Sequence, residues 1–160
     1  MVIAATPGAL WPLVCDIQLP ARFSSEFRGA EWLDGAAGPS LGARFKGRNY
    51  HPARGEWETT STICEYRPER AFGWSVGSPE FPAARWRFVL EPLAGDTRLT
   101  QLTQLTQLTQ WVQVGPGPSG ISVAIESMPD KESRILRRRL AEHRANMQAT
   151  IASIKALAES

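Results

Sequence analysis

His143 is the residue of this sequence best suited to acid–base chemistry. It lies in a stretch free of proline and glycine, among apolar residues that recur three and four positions apart. Imidazole titrates near neutral pH, and such a general base could take a proton from a carbon next to a carbonyl. His143 is therefore the candidate catalytic residue, although a buried, hydrogen-bonded histidine with a structural role would give the same pattern.

Arrangements typical of metal sites or nucleophilic catalysis are not found in the sequence. Cys15 and Cys64 form no C-x-x-C pair, and two histidines cannot complete a zinc set. His51 lies in a turn and His143 on a distant helix, so no Ser-His-Asp set can be argued. The segment GPGPSG (115–120) reads as a loop that does not open a helix in the manner of a phosphate-binding loop. We expect neither a metal nor a cofactor.

Aromatic residues alternate with small or polar ones in several segments, which is typical of strands with one buried face. Six Trp and six Phe in 160 residues suggest an aromatic-walled cavity, although ordinary core packing is an equal alternative. Asn49 could hold a ligand carbonyl, and Glu65 continues the same parity at a strand end, where we expect it to be solvated. The candidate ligand-binding residues on this face are Phe45, Asn49, Trp57, Thr59, Trp74, Trp86 and Phe88.

The N-terminal elements precede this series of strands. Val2 to Ala4 is a short apolar strand, and Thr6-Pro7 then gives a helix N-cap followed by proline at the first helical position. Leu19-Pro20 opens a second short helix, with Phe23 and Phe27 four positions apart on one face. Period-two segments separated by turn signals follow from Gly29, and they predict a meander of antiparallel strands.

A long helix is predicted at the C-terminal end. Ser127 and Asp130 resemble a capping box with Pro129 in the first turn, and no Pro or Gly follows as far as Ala158. The basic residues 137–139 indicate a solvated outer face. Met147 and Ile151 are further candidate ligand contacts. The predicted apolar stripe comprises Leu136, Leu140, His143, Met147, Ile151, Ile154 and Ala158.

Residues 99–110 are four copies of Leu-Thr-Gln. A period of three fits neither a strand nor a helix, and along a strand successive leucines fall on alternate faces. We expect one long strand with a bulge, or a hairpin tip that extends beyond the sheet. An expansion tolerated in a surface loop and a selected role in pairing with another chain are both open.

Composition bounds the class of protein. Hydrophobic residues make up 42% and charged residues 21%, as in an ordinary globular domain, and a net charge of +2 is too small to indicate nucleic-acid binding. No apolar run reaches the roughly 18 residues of a membrane span, and the N-terminus does not resemble a signal peptide. We therefore expect a single cytoplasmic domain over residues 1–160.

The order strand, two short helices, six-stranded meander and long C-terminal helix resembles the START-like superfamily, also called SRPBCC or polyketide cyclase/dehydrase and lipid transport. The resemblance implies an α+β helix-grip fold, in which a curved antiparallel sheet of about seven strands surrounds the long helix and encloses a cavity. The Leu-Thr-Gln repeat departs from the family pattern. The carrying segments are ATPGALWPLVCD (5–16), EWLDG (31–35), GARFKGRN (42–49), WETTSTI (57–63), PERAFGW (68–74), WRFVLEP (86–92) and GDTRLT (95–100).

Because the superfamily includes several activities, three functions remain open. The first is binding of a small hydrophobic molecule, such as a polyketide, another aromatic compound or a lipid. The second is an aromatase/cyclase or dehydratase that would fold a poly-carbonyl chain against Trp57, Trp74 and Trp86. The third is a protein–protein interaction module that uses the basic helix and the repeat hairpin, and a homodimer is also open.

Overall fold

The computed structural model describes residues 1–93 and 104–160. Its centre is one antiparallel seven-stranded sheet with the spatial order β1-β7-β6-β5-β4-β3-β2. Strands β2 to β7 form a meander, and β1 joins the far edge by pairing with β7. The strands are β1 (Val2–Ile3), β2 (Phe27–Trp32), β3 (Arg44–His51), β4 (Gly55–Arg67), β5 (Ala71–Gly77), β6 (Pro82–Leu93) and β7 (Leu105–Val114).

Helix α1 (Pro7–Cys15) begins as the sequence predicted. The Thr6 hydroxyl accepts a hydrogen bond from the Ala9 amide at 3.0 Å, and proline occupies the first helical position. The second short helix is only a four-residue 3₁₀-helix, Leu19–Arg22. Phe27 was wrongly assigned to it: this residue begins β2, because the Ser24 hydroxyl accepts the amides of residues 26 and 27 and turns the chain into the strand.

The C-terminal region contains a helix that the sequence analysis missed. Helix α2 (Gly120–Ser127) follows the 115–119 loop, so this loop does lead from a strand into a helix. Its capping box is formed by Ser119 and Ser122. The capping box predicted at Ser127 and Asp130 for the long helix does not form, since Ser127 is the last residue of α2 and its hydroxyl donates to the Ala124 carbonyl at 3.0 Å. The chain then passes through the 3₁₀ segment Pro129–Lys131 and enters the long helix α3 (Glu132–Ala158). Proline lacks an amide hydrogen, which explains the break between the two α-helices.

Side-chain parity holds along most of the sheet and is interrupted at three register shifts in the described strands, of which the one in β4 changes the face of a predicted residue. Trp74 pairs with Trp86, and Phe72 pairs with Phe88, so the predicted aromatic residues of β5 and β6 share the inward face. In β4 the pairing shifts between Ile63 and Glu65. This extra residue moves Glu65 to the outer face, where it forms ion pairs with Arg67 and Arg87 at 2.6 and 2.5 Å, and Tyr66 takes the inward position.

The described half of the repeat forms a regular strand. Leu105 to Gln110 belong to β7 and pair with β6 without a register shift. Leu108 is buried in the core, while Leu105 lies on the opposite face, as predicted for successive copies. The bulge expected in the repeat is absent from 105–110, and residues 99–103 lie outside the described residues. Thr106 is also buried, and its hydroxyl donates to the Ala5 carbonyl at 2.7 Å.

Candidate functional site

A cavity of about 360 Å³ lies between β7 and α3. Residues 110 and 112 contribute from the strand, and six residues spaced one or three apart contribute from the helix, so the cavity follows the helical stripe that the sequence predicted. Its walls are largely apolar, with a few polar groups among them. The lining residues are Met1, Gln110, Val112, Leu140, His143, Arg144, Met147, Gln148 and Ile151.

The pairing of β7 explains how the cavity is formed. On one side, Gln110 and Val112 pair with Phe88 and Trp86 of β6, which fixes both side chains on the inward face. On the other side, β1 pairs only with residues 106 and 107, and the Leu108 amide donates to the Met1 carbonyl at 2.8 Å. The part of β7 that lines the cavity therefore extends past the end of β1 and faces α3.

His143 projects from α3 into the interior and is 9% exposed. Its ring packs perpendicular to that of Trp86, with the ring centroids 5.2 Å apart and an interplanar angle of 87°. Burial, together with the positive charge of Arg139, lowers the pKa of His143 to about 4, although the carboxylates of Glu26 and Glu142 act in the opposite direction. The imidazole is therefore neutral at neutral pH, with one nitrogen as donor and one as acceptor. Neither nitrogen bonds to another described residue.

Gln110 is the functional candidate that the sequence analysis did not name. Its Oε1 atom is buried and has no hydrogen-bond partner among the described residues, a state shared only with the Ser75 hydroxyl in that part of the chain. Most buried polar groups in proteins are paired, so this exception marks a position of interest. Its inward position follows from its neighbours: Trp86 and Phe88 face inward on β6, and Gln110 pairs with Phe88. The sequence alone does not supply this pairing.

The predicted aromatic residues form a cluster that adjoins the cavity and does not line it. Trp74 is at its centre. Its ring is stacked on that of Trp86, with the centroids 6.2 Å apart, and its centroid lies 6.1 Å from those of Phe45 and Phe88. Phe45 and Phe88 are buried in the hydrophobic core. Trp86 connects this cluster to the cavity through His143.

The remaining predicted residues lie apart from the cavity, on β3 and β4. The Asn49 amide donates to the Gly47 carbonyl at 3.4 Å and to the Thr59 hydroxyl at 3.5 Å, so these polar groups partly satisfy each other. Trp57 is covered by the guanidinium of Arg54, 4.4 Å from the ring centroid. Of the predicted ligand contacts, only His143, Met147 and Ile151 line the cavity directly.

An ionic network attaches α3 to the sheet next to His143. Arg139 donates to Glu26, which precedes β2, through two contacts of 2.5 Å, and to Glu142 at 3.2 Å. Burial alone lowers the pKa of Arg139, but the hydrogen bonds and charges of Glu26 and Glu142 outweigh it and raise the pKa above its usual value. His51 approaches Glu142 at 3.6 Å, which connects the β3–β4 hairpin to the same network.

A second cavity of about 560 Å³ lies between α1, residues 16–18 that follow it, strand β2 and the β2–β3 loop. Trp11, Trp32 and Tyr66 contribute aromatic surface to it. Its polar groups are already engaged: the Gln18 side chain exchanges two hydrogen bonds with the Ala30 backbone, and Glu31 pairs with Lys46 at 2.9 Å. The smaller cavity is therefore the better site candidate, because the Gln110 oxygen and the His143 ring have no such partners among the described residues.

Two further findings concern metal binding and membrane spans. Among residues 1–93 and 104–160, no three His, Cys, Asp or Glu side chains are arranged to hold a metal ion. None of the helices in these same ranges is long and apolar enough to cross a membrane.

The sheet wrapped on a long C-terminal helix defines this chain as a helix-grip protein. Residues 1–143 match the family model described as polyketide cyclase/dehydrase and lipid transport, and the chain belongs to this family. None of the curated proteins matches the sequence.

Solved structures with the same fold come from several sources. A Polyketide_cyc-like protein of Corynebacterium glutamicum is 29% identical, with 99% of this chain and 88% of that chain covered and a TM-score of 0.61. The di-domain ARO/CYC protein StfQ of the steffimycin biosynthetic pathway is 13% identical, with coverage of 99% and 48% and a TM-score of 0.63. A START superfamily protein of Mycobacterium smegmatis is 14% identical, with coverage of 96% and 94% and a TM-score of 0.53. The last two similarities are evidence of fold alone.

Proposed function

We propose that this protein binds a small, largely apolar molecule in the cavity between β7 and α3. The observation that carries the proposal is a cavity of about 360 Å³ with largely apolar walls, a buried amide oxygen of Gln110 without a partner among the described residues, and the ring of His143 on the facing helix. Pockets for small molecules are usually concave, mostly apolar and at least about 300 Å³ in volume, with few polar groups that orient the ligand. The family description, which includes polyketide cyclases and lipid transport, supports the same function.

The apolar walls give a physical reason for binding. Val112, Met147 and Ile151 present aliphatic surface from the strand and the helix. Transfer of apolar ligand surface from water onto such walls contributes about 25 cal/mol per Å² before the costs of association. Met147 is unbranched and flexible, so it can adapt to ligands of different shape.

A cavity-filling substitution tests this proposal. Met147→Phe should weaken binding of the neutral fluorescent probe N-phenyl-1-naphthylamine by about 10-fold or more, because the larger ring occupies the cavity. Met128→Phe is the matched control, since Met128 lies after α2 and does not line the cavity. Binding that is absent from the wild type, or equal in both variants, would contradict the proposal.

A second candidate function is that of an aromatase/cyclase or dehydratase, and the position of His143 favours it. A neutral imidazole inside the cavity could accept a proton from a carbon next to a carbonyl. The pKa of about 4 makes it a weak base, which ranks catalysis below binding. The test is deuterium incorporation into 2-tetralone in D₂O, followed by NMR. Catalysis requires exchange faster than in buffer and a loss of that excess in His143→Gln.

We also propose that residues 1–160 form one domain and that the protein is cytoplasmic. Cys64 is an exposed free thiol, which suits a reducing compartment. The third candidate, a protein–protein interaction module with a homodimer, would require association of two copies. Sedimentation that shows a monomer at high concentration would contradict it.

A further inference from the structure

Two polar groups from opposite walls of the cavity have no hydrogen-bond partner among the described residues. Gln110 contributes an amide from β7 whose oxygen is buried and unpaired, and His143 contributes a ring from α3 without a hydrogen bond to a described residue. Both residues line the same cavity. Leaving the buried Gln110 oxygen unpaired costs free energy, so a ligand that donates a hydrogen bond to it gains affinity that a purely apolar ligand does not.

We propose that the cavity selects apolar ligands that carry an uncharged hydroxyl group, with this group bound between Gln110 and His143. The inference rests on the proposed binding function and adds the chemical class of the ligand. The apolar body of the ligand then contacts Val112, Met147 and Ile151.

A hydroxyl group fits because it both donates and accepts a hydrogen bond. The amide of Gln110 has a donor end and an acceptor end, and rotation about its last side-chain bond can turn either end toward the ligand. His143 is neutral because of its low pKa, so its ring also offers one donor and one acceptor. A hydroxyl can therefore pair with both groups in either orientation. A hydrocarbon of the same shape leaves both unpaired.

An anionic ligand fits less well. The charges that act on His143 are Arg139, Glu26 and Glu142, so two carboxylates stand against one guanidinium beside the ring. Arg144 is the cationic side chain among the described lining residues, but it is exposed, and water screens its charge. Burial of a carboxylate between neutral groups would also carry a large desolvation cost.

Three compounds of similar shape test this inference: 2-naphthol, naphthalene and 2-naphthoate. Each is measured at pH 7 by displacement of N-phenyl-1-naphthylamine from the folded protein. We expect 2-naphthol to bind about 10-fold more tightly than naphthalene. In Gln110→Leu this preference should fall below about 3-fold. Gln113→Leu is the matched control and should keep the preference, since Gln113 lies on the outer, exposed face of the same strand.

The outcomes separate the two proposals. If naphthalene and 2-naphthol bind equally well to the wild type, the hydroxyl inference is wrong and the binding function stands. If 2-naphthoate binds most tightly and Arg144→Gln removes this advantage, the ligand class is anionic and the inference is also overturned. If none of the probes binds, the proposed function and the inference both fail. Should Gln110→Leu not fold, His143→Phe replaces it, with the same expected loss of preference.

Discussion

The ion pair between Arg139 and Glu26 should be a principal attachment of α3 to the sheet. Their side chains are 20% and 13% exposed, and two 2.5 Å contacts join the guanidinium to the carboxylate. Arg139→Met keeps much of the aliphatic stem and removes the charge. The carboxylate of Glu26 is then left largely buried without its cation, which is the costly situation for an ion pair.

The magnitude follows from this burial. Removing one partner of a buried ion pair lowers the free energy of unfolding by about 3–5 kcal/mol. Because both side chains are partly exposed, we expect a loss of about 3 kcal/mol here. For a chain of 160 residues, Tm falls by about 2–4 °C per kcal/mol, so we expect a decrease of roughly 6–12 °C. The double variant Glu26→Met/Arg139→Met should recover about half of this loss, because no charge is then left unpaired.

Thermal unfolding monitored by circular dichroism measures these effects, and the same helix provides a control. Arg138→Met also removes a contact with Glu142, at 3.0 Å, but the Arg138 side chain is 72% exposed. We expect a loss below about 0.5 kcal/mol from this variant. If Arg139→Met destabilises the protein no more than Arg138→Met does, or if the double variant is less stable than Arg139→Met, the argument from burial is wrong.

Three further predictions concern the α2 cap, the buried histidine and the repeat. Ser119→Ala should lower the opening free energy of the α2 amides, measured by hydrogen exchange, by about 1 kcal/mol, and Ser127→Ala should lower it less. The reverse order would place the cap at Ser127. Because the pKa of His143 is about 4 when folded and about 6.5 when unfolded, stability should fall by about 3 kcal/mol as the pH drops from 6.5 to 4. Urea titrations of His143→Phe should lack this component, and an identical pH profile in both proteins would rule it out. Deletion of one Leu-Thr-Gln copy leaves the amino-acid sequence of 105–110 unchanged and shortens the β6–β7 connection, so Tm should change by no more than about 2 °C. A larger decrease in Tm would show that all four copies are needed.

Strand faces could be predicted from the sequence wherever one side of the sheet is apolar. Residues of β3, β5 and β6 alternate cleanly, and the register places Trp74 opposite Trp86 as parity requires. The bulge before Glu65 could not be predicted, because an unpaired residue is a property of two strands together. Once it occurs, every later residue of β4 changes face, which is why Tyr66 and not Glu65 packs on the core.

Helix boundaries were less predictable because two segments compete to begin the C-terminal helix. Both Ser119 and Ser127 precede a helical turn, and the text around Ser127 matches a capping box equally well. What separates them is proline two residues after Ser127, which ends α2 and starts a 3₁₀ segment. Helix α2 has no fully buried residue, so little apolar periodicity marked it as a helix.

The inward position of Gln110 had no signal within the repeat itself, because of the three-residue period. A three-residue unit alternates faces with each copy, so Leu, Thr and Gln each occur on both sides of β7 and the pattern contains no apolar stripe. The face is decided downstream, where Val112 and Val114 pair with Trp86 and Ala84 on the inward side. Counting back two residues from Val112 places an amide opposite Phe88, at a level where the neighbouring strands carry aromatic rings. A polar group in that position is unfavourable for packing alone, and this is the physical reason to look for a ligand group that pairs with it.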